Sequence, residues 1–286
     1  MKKLLLALVS FGIIAVAPLQ AIAGPKDDVK MIRTYFAKKF PGVKLSALAD
    51  GIYALDADRR GAWEQIMDFP PYEPIIDTGE ELFNKPFKKT GKTYASCFKN
   101  GGVGIAQNYP YWDKKTKQVK TIEQELIQCA KKNGAKLKPK AGKIAALSSY
   151  MHNTSRGKKT NVVIPKGDAG ALAAYESGKQ IFFARRGQLN FSCAHCHVAA
   201  AGQHIGGNIL SPALGHTTGF PVFRLKWDIK SAGKKSMGTM HRRYGGCNKQ
   251  VRAKPLKAQS TTYRNLQYFH TYMSNGMKLN GPSVRG

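Results

Sequence analysis

The sequence predicts a mainly α-helical protein made of two tandem units of one plan. Three observations carry this. A Cys193-Ala194-His195-Cys196-His197 motif stands in the second half of the 286-residue chain. Landmarks that lead into it recur 96 to 99 residues earlier, at Gly79 for Gly178 and Cys97 for Cys193. Each half then closes on an amphipathic stretch with a Tyr-Met pair, Tyr150-Met151 and Tyr272-Met273.

Taken in order, residues 1–23 have the features of a secretory signal. Lys2 and Lys3 supply a basic start, residues 4–17 a short apolar core, and Ala21-Ile22-Ala23 a small-x-small cleavage site. The apolar run is too short to cross a bilayer and Pro18 follows it, so no membrane span is expected. Cleavage after Ala23 and export to the periplasm are expected. The chain has 46 Lys and Arg against 17 Asp and Glu, a net charge of +29. An exported protein rarely meets nucleic acid, and no aromatic-rich binding motif is present, so nucleic acid is not expected as a partner. The charge reads as attraction to acidic proteins or small anions.

Residues 24–165 form the expected first unit. It has Gly79 followed by Leu82 and Phe83, then Tyr94-Ala95-Ser96-Cys97, Asn108-Tyr109-Pro110-Tyr111 with Trp112-Asp113, and Cys129. Residues 166–286 form the second. It has Gly178 followed by Ile181 and Phe182, then Asn190-Phe191-Ser192-Cys193, Phe220-Pro221-Val222-Phe223 with Trp227-Asp228, and Cys247.

The motif has a mechanical reading. Two cysteines three apart can form thioethers to the two vinyl groups of a haem, and the next residue, His197, can then ligate the iron. Zinc would want a second Cys/His pair, and a redox-active pair would want a βαβ setting; the sequence shows neither. One covalently bound haem c is therefore expected on Cys193, Cys196 and His197, with His195 an exposed spacer. The surrounding landmarks then make the cytochrome c plan: a first helix, the haem motif, a loop with the distal ligand, and a last helix crossing the first closely. The fold expected is mainly α, two tandem cytochrome c-like domains, the first without haem. Cys97-Phe98-Lys99-Asn100-Gly101 lacks the second cysteine and the histidine. Cys97 and Cys129 are left facing one vacated pocket in an oxidising compartment. A disulfide between them would span 32 residues, worth roughly 3–4 kcal/mol by chain entropy.

Cys247 lies 54 residues after Cys193, where a distal ligand usually arises, within His241-Arg242-Arg243-Tyr244-Gly245-Gly246-Cys247-Asn248. The glycines would let backbone approach the haem face, and the arginines would favour a thiolate, a strong donor to ferric iron. On the residues alone, Met237, Met240, His204, His216 and His241 compete as ligands, and an intermolecular disulfide competes for the thiol. Arg243 stands one helical turn before Cys247. Its planar fork suits an oxoanion such as a sulfonate, while pairing with a haem propionate is the other reading for it and for Arg242.

The run Phe191-Ser192-Cys193-Ala194-His195-Cys196-His197, with Gly206-Gly207-Asn208, Phe220-Pro221 and Arg243-Tyr244-Gly245-Gly246-Cys247-Asn248 downstream, resembles the SoxA family, the larger subunits of the SoxAX cytochromes of bacterial thiosulfate oxidation. The resemblance covers nearly the whole exported chain. The haem-less first unit with two cysteines is similar to the monohaem branch, and Phe98 to Gly101 depart from the members with two haems. The resemblance implies an L-cysteine S-thiosulfotransferase subunit that joins thiosulfate to a cysteine of a SoxYZ-type carrier protein, with loss of two electrons. It implies that Cys247 is both iron ligand and reaction centre, passing through a sulfur-modified state, and that Arg243 binds the sulfonate. A SoxX-type monohaem cytochrome c subunit would share the site and pass electrons to an electron-accepting cytochrome. The alternatives are a thiosulfate dehydrogenase forming tetrathionate, which usually has two haem motifs, and a plain electron-transfer cytochrome c, which a Met ligand would favour.

Overall fold

The computed structural model describes residues 24–285; the expected signal segment and its cleavage point lie outside the described residues. Helix α1 (Pro25–Lys39) starts on proline, with Asp27 and Asp28 in its first turn and Lys38 and Lys39 in its last, each matching the helix dipole. A 3-10 segment (Leu45–Ala54) breaks at Gly51, where φ is 67°. Helix α2 (Ala57–Asp68) is capped by Asp56, which accepts from the Arg59 amide. Helix α3 (Glu73–Asn84), a hairpin of β1 (Tyr111–Asp113) and β2 (Gln118–Lys120), α4 (Ile122–Lys132) and α5 (Lys143–Asn153) complete the first half.

The second half opens with α6 (Ala169–Phe183), capped by Asp168, and a π-helical turn (His195–Ala199) follows. A small hairpin of β3 (His204–Ile205) and β4 (Asn208–Ile209) comes next. Then come β5 (Val222–Phe223), α7 (Leu225–Ser231), β6 (Met237–Gly238), α8 (Met240–Gln250), α9 (Thr261–Tyr272) and β7 (Ser283–Val284). The last three strands make one sheet in the order β6-β5-β7.

One helix crossing occurs in both halves, and glycine permits each. At Gly79 of α3, a Cβ would lie 2.2 Å from the Ala146 carbonyl oxygen and 3.0 Å from Tyr150 Cβ of α5. At Gly178 of α6, it would lie 2.0 Å from the Asn265 oxygen and 2.9 Å from Phe269 Cβ of α9. These paired contacts correct the register read from sequence. Tyr150 answers Phe269 rather than Tyr272, so Met151 stands where the second half has His270. The Trp-Asp match also dissolves. Trp112 lies in β1 and donates to Asp168 at 3.0 Å, whereas Trp227 lies in α7.

Two main cores form. Phe83, Tyr94, Leu126, Ile144, Leu147 and Met151 build one; Tyr175, Phe182, Leu214, Tyr244 and Phe269 anchor the other. Ile32, Phe36 and Leu48 belong to the second core, although the sequence reading placed residues 24–165 in one unit. The physical reason lies in α1. Its apolar stripe needs a partner, and its buried Asp28 accepts from Tyr175 Oη at 2.8 Å and from Lys179 Nζ at 2.7 Å. In the opposite sense, Leu279 joins the first core, and its carbonyl accepts from the Gly157 amide at 2.8 Å.

Cys97 and Cys129 are joined, with Cα atoms 6.0 Å apart, and Asn133 Nδ2 donates to the Cys129 carbonyl at 2.9 Å. Replacing both cysteines with serine should lower the melting temperature by roughly 10 °C, from the entropy of the 32-residue span. Haem content should not change, because the pair sits in the core without the haem motif. Calorimetry with matched haem spectra checks this; an unchanged melting point would mean that the link does not restrain the unfolded chain.

Candidate functional site

The π-helical turn carries the second half of the motif. His197 Nδ1 lies 2.8 Å from the Ser211 carbonyl oxygen. A carbonyl can only accept, so Nδ1 holds the proton and Nε2 presents its lone pair, the tautomer that a metal ligand needs. His195 is not a free spacer. It is half-buried, and its Nδ1 accepts from Ser192 Oγ at 2.6 Å and from the Ser192 amide at 3.2 Å, tightening the turn.

Cys247 arrives from α8, one helical turn after Arg243. Thr239 caps that helix, accepting from the Arg242 amide. Burial pushes the Cys247 thiol up. The Arg243 guanidinium, the His197 ring when both of its nitrogens carry protons, and Arg224 outweigh that and hold it at about 7. Burial pushes the Cys193 thiol up to about 12 and the charge of Cys247 adds to this; burial and Cys247 also raise the Cys196 thiol. Three sulfurs and one imidazole therefore share a pocket.

The pocket fits a haem c. Gly245 and Gly246 lie inside α8, where each glycine costs about 1 kcal/mol relative to alanine. Yet a Cβ at Gly245 would meet nothing nearer than Pro255 Cβ at 3.8 Å, and one at Gly246 nothing nearer than Arg243 Nη1 at 3.9 Å. Protein atoms do not explain this smooth helix face; a flat group lying against it would. The donor set also matches, with paired thiols for attachment and an imidazole facing a thiol of lowered pKa for the iron.

The rival ligands are placed as follows. Met237 packs with Tyr72, Ala145 and Phe223, and Met240 sits in the second core. His241 Nδ1 accepts from the Gln259 amide at 2.9 Å, and burial lowers its pKa to about 3. His204 is exposed on β3. His216 alone of these rivals lies beside His197, with ring centroids 4.7 Å apart and planes tilted by 40°. Burial holds it neutral, as it holds His270, lowered to about 3, whose ring is 5.5 Å from His216 and whose Nδ1 meets Tyr244 Oη at 3.2 Å. Arg242 turns away from the thiol, donating to the Met237 carbonyl at 2.9 Å and packing on Trp227.

Arg243 is half-buried, and among the described residues no protein acceptor takes a hydrogen bond or ion pair from its guanidinium. Sequence reasoning missed Arg224 and Trp227 as members of this neighbourhood, and likewise His270 and Tyr244. Arg224 lies 23 residues before Cys247, and no spacing rule links them. Trp227 was noticed only as a repeat landmark.

Comparison with known proteins agrees with this geometry. A family model described as the SoxA/TsdA cytochrome c domain matches residues 78–160, the half without the Cys-x-x-Cys-His motif. The L-cysteine S-thiosulfotransferase subunit SoxA of Chlorobaculum thiosulfatiphilum is 50% identical over 259 residues, covering 90% of this chain and 87% of the relative. The subunit of the same name from Allochromatium vinosum is 48% identical over 264 residues, covering 92% and 91%. The crystal structure of SoxXA from P. pantotrophus aligns with a TM-score of 0.68 at 28% identity, covering 79% of this chain and 84% of that one. A relative half identical along nine-tenths of this chain leaves one assignment: the chain belongs to the SoxA family of L-cysteine S-thiosulfotransferase subunits.

Proposed function

We propose that this chain is the catalytic subunit of a periplasmic L-cysteine S-thiosulfotransferase, which oxidatively joins thiosulfate to the cysteine of a SoxYZ-type carrier protein. The observation that carries the reading is the Cys247 thiol on α8, which Arg243, His197 and Arg224 hold at about 7 despite burial. The reaction balances as carrier thiol plus thiosulfate dianion giving the carrier S-thiosulfonate monoanion, one proton and two electrons.

On this reading the chain holds one haem c, attached at Cys193 and Cys196 and ligated by His197 and Cys247. When bound, the haem supplies a one-electron acceptor at the thiolate. The protein supplies everything else. Arg243 offers two parallel donors to the sulfonate oxygens, fixing the anion so that its outer sulfur faces Cys247. The Ser211 carbonyl keeps the imidazole in its ligating tautomer. Burial of the pocket excludes water from the charged reactants. The crossings at Gly79 and Gly178 support two tandem cytochrome c-like domains, the first without haem. The domain boundaries are then redrawn, with residues 25–55 packing on the second domain and Leu279 on the first. A SoxX-type monohaem cytochrome c subunit is the partner suggested by the SoxXA likeness, passing electrons on to an electron-accepting cytochrome. No helix among the described residues is long and apolar enough to cross a membrane.

Intact-mass measurement of the processed chain should show one haem and begin at Gly24. Two haems would refute the haem-free first domain. Reconstitution with the partner subunit, the carrier and an electron-accepting cytochrome should add one thiosulfate unit to the carrier cysteine. Release of tetrathionate by the chain alone, with an unmodified carrier, would favour a thiosulfate dehydrogenase instead.

A further inference from the structure

The Ser211 carbonyl that orients His197 belongs to a connection, residues 207–215, that is met at three points by residues 48–59. Its own chain ties it on either side. The Leu210 amide donates to the Gln203 carbonyl at 3.0 Å, and the Ala213 amide to the His197 carbonyl at 2.7 Å. Ser211 itself faces Gly51, the break in the 3-10 segment. There φ is 67° and ψ is −126°, a conformation open to glycine, and a Cβ would lie 3.2 Å from Ser211 Oγ and 3.7 Å from Ser211 Cβ. Four residues on, a Cβ at Gly215 would lie 2.7 Å from the Leu48 carbonyl oxygen and from the Ala49 nitrogen, so backbone meets backbone. At the start of the connection, Arg59 Nη2 donates to the Gly207 carbonyl at 3.3 Å. The 48–59 segment is fixed in turn from the far end of the chain. Arg285 Nη2 and Asn280 Nδ2 donate to the Ala49 carbonyl at 2.8 and 3.0 Å, and Asn280 Nδ2 also donates to Asp50 Oδ1 at 3.0 Å.

We propose that Gly51, with the segment around it, is a positioning residue for the haem ligand: it clasps the 207–215 connection so that the Ser211 carbonyl stays on His197 Nδ1, and it thereby sets how strongly the imidazole donates to iron. The inference deepens the reading of His197 as an iron ligand and rests on it. A carbonyl that accepts firmly from the Nδ1 proton makes the ring a better donor, which favours ferric iron and lowers the reduction potential. At 2.8 Å that bond is already at a favourable length, so a shift of Ser211 in either sense weakens it and raises the potential. The side chain of Ser211 is the part of the connection that touches Gly51, and its carbonyl is the part that touches the ligand, one residue serving both contacts. Residues 48–59 thus act on the site although they lie more than 130 positions before His197 in the chain.

The test follows the midpoint potential and the thermal unfolding of the haem-loaded full chain. Gly51→Ala puts a methyl 3.2 Å from Ser211 Oγ and should raise the reduced-to-oxidised ratio at a fixed ambient potential by about threefold or more. It should also lower the melting temperature, because alanine is strained at that φ. Adding Ser211→Ala removes the hydroxyl and keeps the carbonyl. The nearest Ser211 atom is then the Cβ at 3.7 Å, an ordinary contact, so the double variant should regain the wild-type potential while the loss of stability remains. Ser211→Ala alone should leave the potential in place. If Gly51→Ala fails to take up haem, Asn280→Ala is read instead. It removes two bonds to the clasp, changes no charge, and should raise the potential in the same sense. Lost stability at an unchanged potential in the variant that is read, or a shift that survives in the double variant, would overturn the proposal. A haem spectrum unaltered by His197→Ala would refute the ligand reading itself, a different result.

Discussion

Exchanging Cys247 for alanine abolishes thiosulfate transfer, by about a thousandfold or more, as expected when a residue acts at the reacting atoms. Haem attachment should continue, because the motif cysteines Cys193 and Cys196 lie outside α8. The ferric spectrum should lose its thiolate character in the same variant. Arg243→Lys gives the complementary result. It keeps a charge near the thiol and loses the planar fork, so kcat/KM for thiosulfate should fall by about ten- to a hundredfold while the spectrum barely moves. Were Arg243 paired to a propionate instead, the reduction potential would shift and turnover per reduced haem would survive. Transfer at the wild-type rate by Cys247→Ala, with an unaltered spectrum, would remove the site proposed here. His216, whose ring lies beside that of His197, would then be the first residue to test as the ligand.

The second large effect is structural. Gly178→Ala should cost about 3 kcal/mol or more, because the new methyl would sit 2.0 Å from the Asn265 oxygen and α6 and α9 would have to move apart. Thermal unfolding and the yield of haem-loaded protein both report it. Gly246→Ala is the informative contrast. Apart from its chain neighbours and the backbone of its own helix, no protein atom lies nearer than 3.9 Å to its added methyl, so the haem-free chain should tolerate it and even gain helix propensity. Loss of haem binding in that variant alone would show that the haem, not the protein, imposes the glycine. A Gly178→Ala protein as stable as wild type would mean that the crossing is far softer than its geometry implies.

Much of this was legible in the residues. The motif announced its cofactor through a spacing that only thioether chemistry and an adjacent ligand require. The glycine crossings showed through as Gly followed by apolar residues three and four further on, a helical period. Cys97 and Cys129 could be paired because every other cysteine had a claim from the motif or the distal site. What stayed hidden was long-range. The attachment of α1 to the second half depends on the pairing of Asp28 with Tyr175 and Lys179, residues 147 and 151 positions away, and no local periodicity encodes it. The one-turn slip between Tyr150 and Tyr272 has a similar origin, since a repeated Tyr-Met pair looks alike wherever the crossing glycine lands. Arg224 was invisible because its place comes from a strand end and an indole rather than from a spacing to Cys247.

The placement of α1 also sets an order of events during biogenesis. Tyr35 Oη donates to the Val198 carbonyl at 3.2 Å and Lys39 Nζ donates to the Ala199 carbonyl, so this helix lies across the back of the haem-bearing turn. It is synthesised before any residue of that turn, yet Arg33 reaches the Asn275 carbonyl, 242 positions later. The contacts of α1 can therefore be completed only after residues far down the chain exist, so this helix closes over the back of the Cys193–Cys196 segment after that segment has been made.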